Sequence, residues 1–189
     1  MALKIIALTG PKGSGKDTVG ALIKEMYPQH SPSTIAFADP IKEVIRHIFN
    51  LGDESVYSYD RLKRATLTLK DSEQFYTIEG RRIVREIGML MRGYDEKQFT
   101  NYIVNKVRYE PMNLWIVTDL RFDNEYTILK NLGAKIIKIT RPNYHYDGHI
   151  TERAFDDHLV DKIIFNDGDL DYLRTRVKVV VDSIMKEHE

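Results

Sequence analysis

Residues 10–16 read GPKGSGK, and a short apolar run, Leu3–Leu8, leads directly into them. From Lys16 onward, Val19, Leu22, Ile23 and Met26 recur at helical spacing until Pro28 ends the run. The pattern G-x-x-x-x-G-K between a buried strand and a helix is demanding. Consecutive backbone N–H groups have to turn inward around one point, and the helix N-terminus has to face that same point. The result is a phosphate-binding loop: Gly10, Gly13 and Gly15 shape the cradle, and Lys16 reaches the outer phosphates of a nucleoside triphosphate. A loop of this kind also commits the chain to an α/β fold.

The position after Lys16 ordinarily holds a serine or threonine that ligates Mg²⁺, but here it is Asp17, with Thr18 one place later. A carboxylate beside a triphosphate is repelled unless a cation lies between them. One reading makes Asp17 a metal ligand, with Thr18 supplying the hydroxyl. The other makes it an acidic residue favoured by the macrodipole in the first helical turn.

The rest of the chain continues the alternation. Thr34–Ala38 reads as a second strand entering a helix through Asp39-Pro40, an N-cap followed by proline at the first helical position. Ile41, Val44, Ile45 and Ile48 supply that helix's inner face. Residues 51–78 fit no element, and helical periodicity returns over 80–92 and 97–108. LWIVT at 114–118 is a third strand, followed by a short helix over 124–131 that Gly133 closes. KIIKIT at 135–140 and KIIF at 162–165 are the fourth and fifth strands. Leu170, Leu173, Val177, Val180 and Ile184 mark a C-terminal helix. Strands alternating with helices predict a five-stranded parallel sheet flanked by helices, a three-layer P-loop NTPase sandwich whose ligands sit at the strands' carboxyl ends.

Length and composition fit one such domain over 1–189. Lysine plus arginine balances aspartate plus glutamate at 28 each, so no net field draws the chain to nucleic acid or membrane. There is no cysteine for a disulfide or thiolate metal site, and no apolar run of the roughly 20 residues that span a bilayer. The opening MALKIIALTG is too quickly interrupted for a signal peptide, so the expectation is a cytoplasmic protein.

Beyond the glycine loop, the strand at 114–118 ends in Asp119, with Arg121 and Glu125 close behind. A carboxylate there is the usual second Mg²⁺ element of P-loop enzymes; the plainer alternative is a cap for the next helix. GRRIVREIGMLMR at 80–92 carries four arginines. At about 100° per residue, Arg81, Arg85 and Arg92 share an arc opposite Ile83, Ile87 and Leu90, with Gly88 near the arginines as room for a ligand. They form either a solvated face or a cradle for a second phosphate. Asp39 is either a helix cap or a ligand for an acceptor's sugar or base. RPNYHYDGHITER, with Arg141, His149, Glu152 and Arg153, is either a lid over phosphates or a plain surface loop.

Several blocks together carry a resemblance: GPKGSGKDT, FADPIKEVI, the R-x-x-x-x-G block, TDLRFDNE, the ITRP…H-x-x-E segment and FNDGDLDYL. In this order they resemble the deoxynucleoside monophosphate kinases of tailed bacteriophages, over most of the chain except about 51–78. The GKDT variant is itself a mark of that group. The resemblance implies Mg-ATP-dependent phosphorylation of deoxynucleoside 5′-monophosphates. It implies nucleotide roles for Gly10, Lys12, Gly13, Ser14, Gly15, Lys16, Asp17, Thr18 and Arg141, with metal at Asp17, Thr18 and Asp119. It implies catalytic roles for Lys16, Asp119, Arg121 and Glu125, and acceptor binding by Asp39, Arg82, Arg85, Arg92 and Glu125. Residues 40–108 would be a helical acceptor-binding insertion and 141–157 a lid-like segment. The chain departs from the family where a glutamine, a Gly-Thr pair and a tryptophan are usual: here stand Glu86, Gly88-Met89 and Phe99.

Two anionic substrates, ATP and a monophosphate, are then the partners, and a homodimer is left open. A P-loop kinase resembling dephospho-coenzyme A kinase or phosphomevalonate kinase would share the loop but differ over 39–50 and 80–100. A nucleotide-hydrolysing switch protein would need no second anion site, and the chain has no N-K-x-D guanine-reading motif.

Overall fold

The computed structural model describes residues 3–48, 66–71, 74–110, 112–142 and 155–186. The chain divides into two compact units, Met1–Phe37 with Thr100–Glu189, and Ala38–Phe99.

The first unit is built on five parallel strands: β1 (Lys4–Thr9), β2 (Pro32–Ile35), β5 (Leu114–Val117), β6 (Lys135–Thr140) and β7 (Lys162–Phe165). They lie in the order β2-β5-β1-β6-β7, so the chain leaves β1 toward one edge and later returns to build the other. Such a reversal opens a crevice at the carboxyl end of the central strand, where the glycine loop begins. Registers pair Ile6 with Ile116 and Leu8 with Ile137.

Alternation along the strands decides what covers the sheet. Ile6, Leu8, Leu114, Ile116, Ile137 and Ile139 point to one face, against Val19, Leu22 and Ile23 of α1 (Lys16–Met26) and Leu173, Val177, Val181 and Ile184 of the C-terminal helix Leu170–Lys186. Ile5, Ala7, Trp115, Val117 and Ile136 face the other way and are buried too. Burial on both faces is what makes these strands near-continuous apolar runs.

β2 starts at Pro32 and ends at Ile35, earlier than the expected Thr34–Ala38. Among the described residues it pairs only with β5, and an edge strand tolerates a proline that offers no N–H.

The second unit contains α2 (Asp39–Ile48), a hairpin of β3 (Thr66–Asp71) and β4 (Gln74–Glu79), and α3 (Gly80–Tyr94). The hairpin occupies part of the stretch that sequence patterning leaves unassigned. Helix α4 (Gln98–Tyr109) follows, and α5 (Asp123–Asn131) and α6 (Leu170–Lys186) complete the chain order. Among the described residues no helix is long and apolar enough to cross a membrane.

Candidate active site

The glycine loop leaves β1 at Gly10, where φ is 137°. A Cβ there would lie 2.3 Å from the Ile139 carbonyl oxygen, so the loop's first residue is pressed against β6 and no other residue fits. The loop ends at Gly15, with φ 103°, and a Cβ would meet Asn166 Nδ2 at 2.5 Å. Helix α1 starts at the next residue, and Gly15 has no side chain with which to cap it. The first turn of α1 thus receives no cap from Gly15, and a helix N-terminus of this kind favours an anion.

Lys16 is 7% exposed, and its Nζ donates across the loop to Gly10 O at 2.6 Å and Pro11 O at 2.8 Å. Ser14 is 1% exposed, and its Oγ has no hydrogen-bond partner among the described residues. A buried hydroxyl left so is costly, which fits a loop shaped for phosphate oxygens. Lys12, Asp17 and Thr18 are exposed, the last two on the first turn of α1. Arg141, just past β6, brings Nη1 within 3.5 Å of Gly13 O. The expected nucleotide residues thus gather around one loop.

Asp119 follows the end of β5. Thr118 N donates to Ile35 O, Phe37 N donates to Asp119 Oδ1 at 2.7 Å, and Leu120 N donates to Leu8 O. Thr9 Oγ1 in turn donates to Leu120 O at 3.1 Å. Residues 118–120 are thereby sewn to the ends of β2 and β1, beside the start of the glycine loop. The carboxylate that serves the N-terminus of α5 is not Asp119 but Glu125, whose Oε2 accepts from Arg121 N at 3.0 Å and Phe122 N at 3.2 Å. Glu125 is 1% exposed. Its carboxylate is turned onto the turn that carries Arg121, as a buried charge must be turned onto donors.

Among the described residues no three His, Cys, Asp or Glu side chains cluster as a metal cage. Mg²⁺ bound with a nucleotide ordinarily takes one or two carboxylates, with its remaining ligands from phosphate and water. Asp17, Thr18 and Asp119 fit such a partial set.

In the second unit, Asp39 is the first residue of α2 and pairs with Lys42 Nζ. The carbonyl of Ala38 accepts from Lys42 N, so the cap position falls one residue earlier than the Asp39-Pro40 pattern suggests. Arg82 is exposed and donates Nε to Glu86 Oε1 at 2.7 Å, which raises the guanidinium's pKa by hydrogen bonding and charge. Arg85 and Arg92 are half-buried. The Arg92 guanidinium lies 4.4 Å from the centre of the Phe99 ring, and Nη1 is 3.4 Å from Gly88 O.

The face expected to be apolar on α3 is corrected here. Leu90 is 60% exposed, while Ile83, Val84 and Gly88 are buried. The space at Gly88 is taken by Ile41 of α2, whose Cδ1 would be 3.2 Å from a Cβ there, so it is a helix-packing site and not room for a ligand. The Arg81 side chain and the lid candidates His149, Glu152 and Arg153 lie outside the described residues.

A sequence model of the deoxynucleotide monophosphate kinase family matches residues 4–114 and 83–177. The chain belongs to that family. A protein of Acanthamoeba polyphaga mimivirus, provisionally named a deoxynucleotide monophosphate kinase, is 27% identical over 156 residues, covering 76% of this chain and 77% of its own. The deoxynucleotide monophosphate kinase of enterobacteria phage T4 is 27% identical over 146 residues, covering 72% of this chain, and the match spans only 59% of the phage protein. Among solved structures, dephospho-CoA kinase from Campylobacter jejuni is similar in fold, with a TM-score of 0.53, 18% identity and 98% of each chain covered. The likeness bears on architecture alone, a parallel sheet packed against helices.

One residue of this family member escaped the sequence reading. Asn166, at the carboxyl end of β7, donates Nδ2 to Ser14 O at 2.8 Å. The signal for it was its place, immediately after a strand on the side of the sheet where ligands bind.

Proposed function

We propose that this deoxynucleotide monophosphate kinase transfers the γ-phosphoryl group of ATP, with Mg²⁺, to the 5′-phosphate of a deoxynucleoside monophosphate, yielding the diphosphate and ADP. The observation that carries the reading is the loop itself: its positive-φ glycines, a helix N-terminus that Gly15 does not cap, and the buried Ser14 hydroxyl without a partner among the described residues. Gly10, Lys12, Gly13, Ser14, Gly15 and Lys16 hold the triphosphate, with Arg141 over Gly13. Asp17, Thr18 and Asp119 would hold Mg²⁺, which when bound neutralises charge on the phosphate oxygens.

The acceptor needs little activation. A monophosphate has its second pKa near about 6, so its attacking oxygen is already ionised at neutral pH. The difficulty is repulsion between two polyanions that must meet in line, and the chain's part is orientation and positive charge. Lys16 covers the donor's outer phosphates. Arg85 and Arg92, half-buried in the second unit, bind the acceptor's phosphate, and Asp39 its sugar or base. Arg82 is spent on Glu86 and is not part of that cradle. Arg121 contributes charge at the reacting phosphates, and Glu125 acts through it by fixing the turn that bears it. Both substrates are small molecules, and the reaction calls for neither nucleic acid nor membrane.

A coupled ADP-release assay tests this across the deoxy- and ribonucleoside monophosphates, with dephospho-coenzyme A and phosphomevalonate as competing acceptors. Turnover that depends on a deoxynucleoside monophosphate supports the reading. Turnover with another acceptor, or ATP hydrolysis indifferent to any acceptor, refutes it.

A further inference from the structure

Asn166 is 8% exposed and is held at both ends. Its backbone N–H donates to Thr140 O at 2.8 Å, tying the end of β7 to the end of β6. Its side-chain amide donates to Ser14 O at the same distance. Ser14 O belongs to the peptide that joins Ser14 to Gly15. In a trans peptide the carbonyl oxygen and the following N–H point in opposite directions. Drawing Ser14 O toward Asn166 therefore turns Gly15 N–H to the other side of the peptide.

This peptide needs an outside hold. It is flanked by Gly15, whose backbone freedom lets the plane rotate at little cost, and among the described residues the Ser14 side chain makes no hydrogen bond to fix it. Only a donor can hold a carbonyl, so the amide does here what an isosteric carboxylate could not. The close approach of Nδ2 to Gly15, 2.5 Å from where a Cβ would stand, keeps the amide against the loop.

We infer that Asn166 is a positioning residue for the donor nucleotide: it locks the Ser14–Gly15 peptide so that Gly15 N–H is presented to a phosphate oxygen. The inference rests on reading GPKGSGK as the triphosphate site. It assigns to the end of β7 a part in phosphate recognition without contact to the ligand.

The test uses the whole chain, labelled with ¹⁵N, and pyrophosphate and ATP as probes. In the wild-type protein the Gly15 amide resonance shifts on adding either probe. In Asn166→Ala that shift is lost, and the KM for ATP rises about tenfold, the scale of one hydrogen bond, while the acceptor's KM at saturating ATP is unchanged. Asn166→Asp preserves shape, so it guards against misfolding in the alanine variant, and it weakens ATP at least as much because its carboxylate repels both Ser14 O and phosphate. Melting curves accompany each variant. If both variants melt lower yet bind ATP and shift Gly15 as the wild type does, the bond serves stability only and the inference is wrong. If the wild-type protein binds neither probe, the underlying loop reading fails instead, a distinguishable result.

Discussion

The backbone N–H of Phe37 donates to Asp119 Oδ1 at 2.7 Å, joining the second residue past the end of β2 to the carboxylate two residues past the end of β5. A side chain proposed to hold metal therefore also holds the sheet's active edge in place. The two duties separate by substitution. Asp119→Asn keeps an oxygen that accepts from Phe37 but loses the charge, so its melting temperature stays near wild type while the Mg²⁺ needed for half-maximal activity rises. Asp119→Ala strands the Phe37 N–H as well and costs about 1–3 kcal/mol of stability. Magnesium titrations beside denaturant curves measure both.

Asp17 gives the opposite contrast, since it is exposed and sits where the helix dipole favours an acid. If it ligates metal, Asp17→Asn raises the Mg²⁺ requirement with little change in stability. A loss of a few tenths to about 1 kcal/mol in stability with unaltered metal dependence would assign it to the dipole alone. The same pair of measurements decides.

Lys16→Ala removes the ammonium that now bridges Gly10 O and Pro11 O. Turnover falls by about 10² or more, the scale for losing a charge that stabilises a transferring phosphoryl group. Circular dichroism checks that the fold survives. Near-normal turnover in a folded variant would defeat the loop assignment.

Where apolar patterning met a single buried environment, the sequence was legible. KIIKIT is a strand over the residues expected because it lies between two neighbours in a parallel sheet, and KIIF is one because its β-branched residues extend that sheet from β6. The glycine loop was legible because its backbone demand leaves so few residue choices. Pro32-Ser33 at an edge, paired on one side only, gave no comparable signal. The reading of α3 failed for a different reason. A helical wheel ranks directions by polarity but cannot say which neighbour arrives: Ile41 packs at Gly88, while Leu90 is left exposed. For Glu125, the expected catalytic and acceptor roles came only from the family resemblance. Its burial, and the two N–H groups it accepts from, depend on a turn that sequence does not display.

If Glu125 works by fixing the turn that bears Arg121, removing either residue should damage the same step. Glu125→Ala and Arg121→Ala each lower kcat, and the double variant is no worse than the poorer single one, the mark of residues acting as a unit. Glu125→Ala alone also lowers stability, because the partly buried Arg121 and Phe122 N–H groups lose this acceptor. Fully additive losses in kcat would make Glu125 an independent participant.

The arginines of α3 separate the acceptor site from the donor site. Arg85 is half-buried and Arg82 exposed, held by Glu86 at 2.7 Å in a pair of the kind that contributes little at a surface. On the proposed reading the glycine loop holds the donor's phosphates, and a second cationic cradle is needed only by the acceptor. A bidentate guanidinium–phosphate contact is charge-assisted and worth about 1.5–3 kcal/mol, or roughly one to two decades of affinity. Arg85→Ala therefore raises the KM for the deoxynucleoside monophosphate by that factor and leaves the KM for ATP almost unchanged. Arg85→Lys recovers part of the loss, because an ammonium supplies charge without the planar fork. Arg82→Ala changes neither constant. Steady-state kinetics with each substrate varied at saturating levels of the other gives the answer. A rise in the ATP constant instead would move this arginine to the donor side, and equal effects of Arg82→Ala and Arg85→Ala would remove the distinction drawn from their burial.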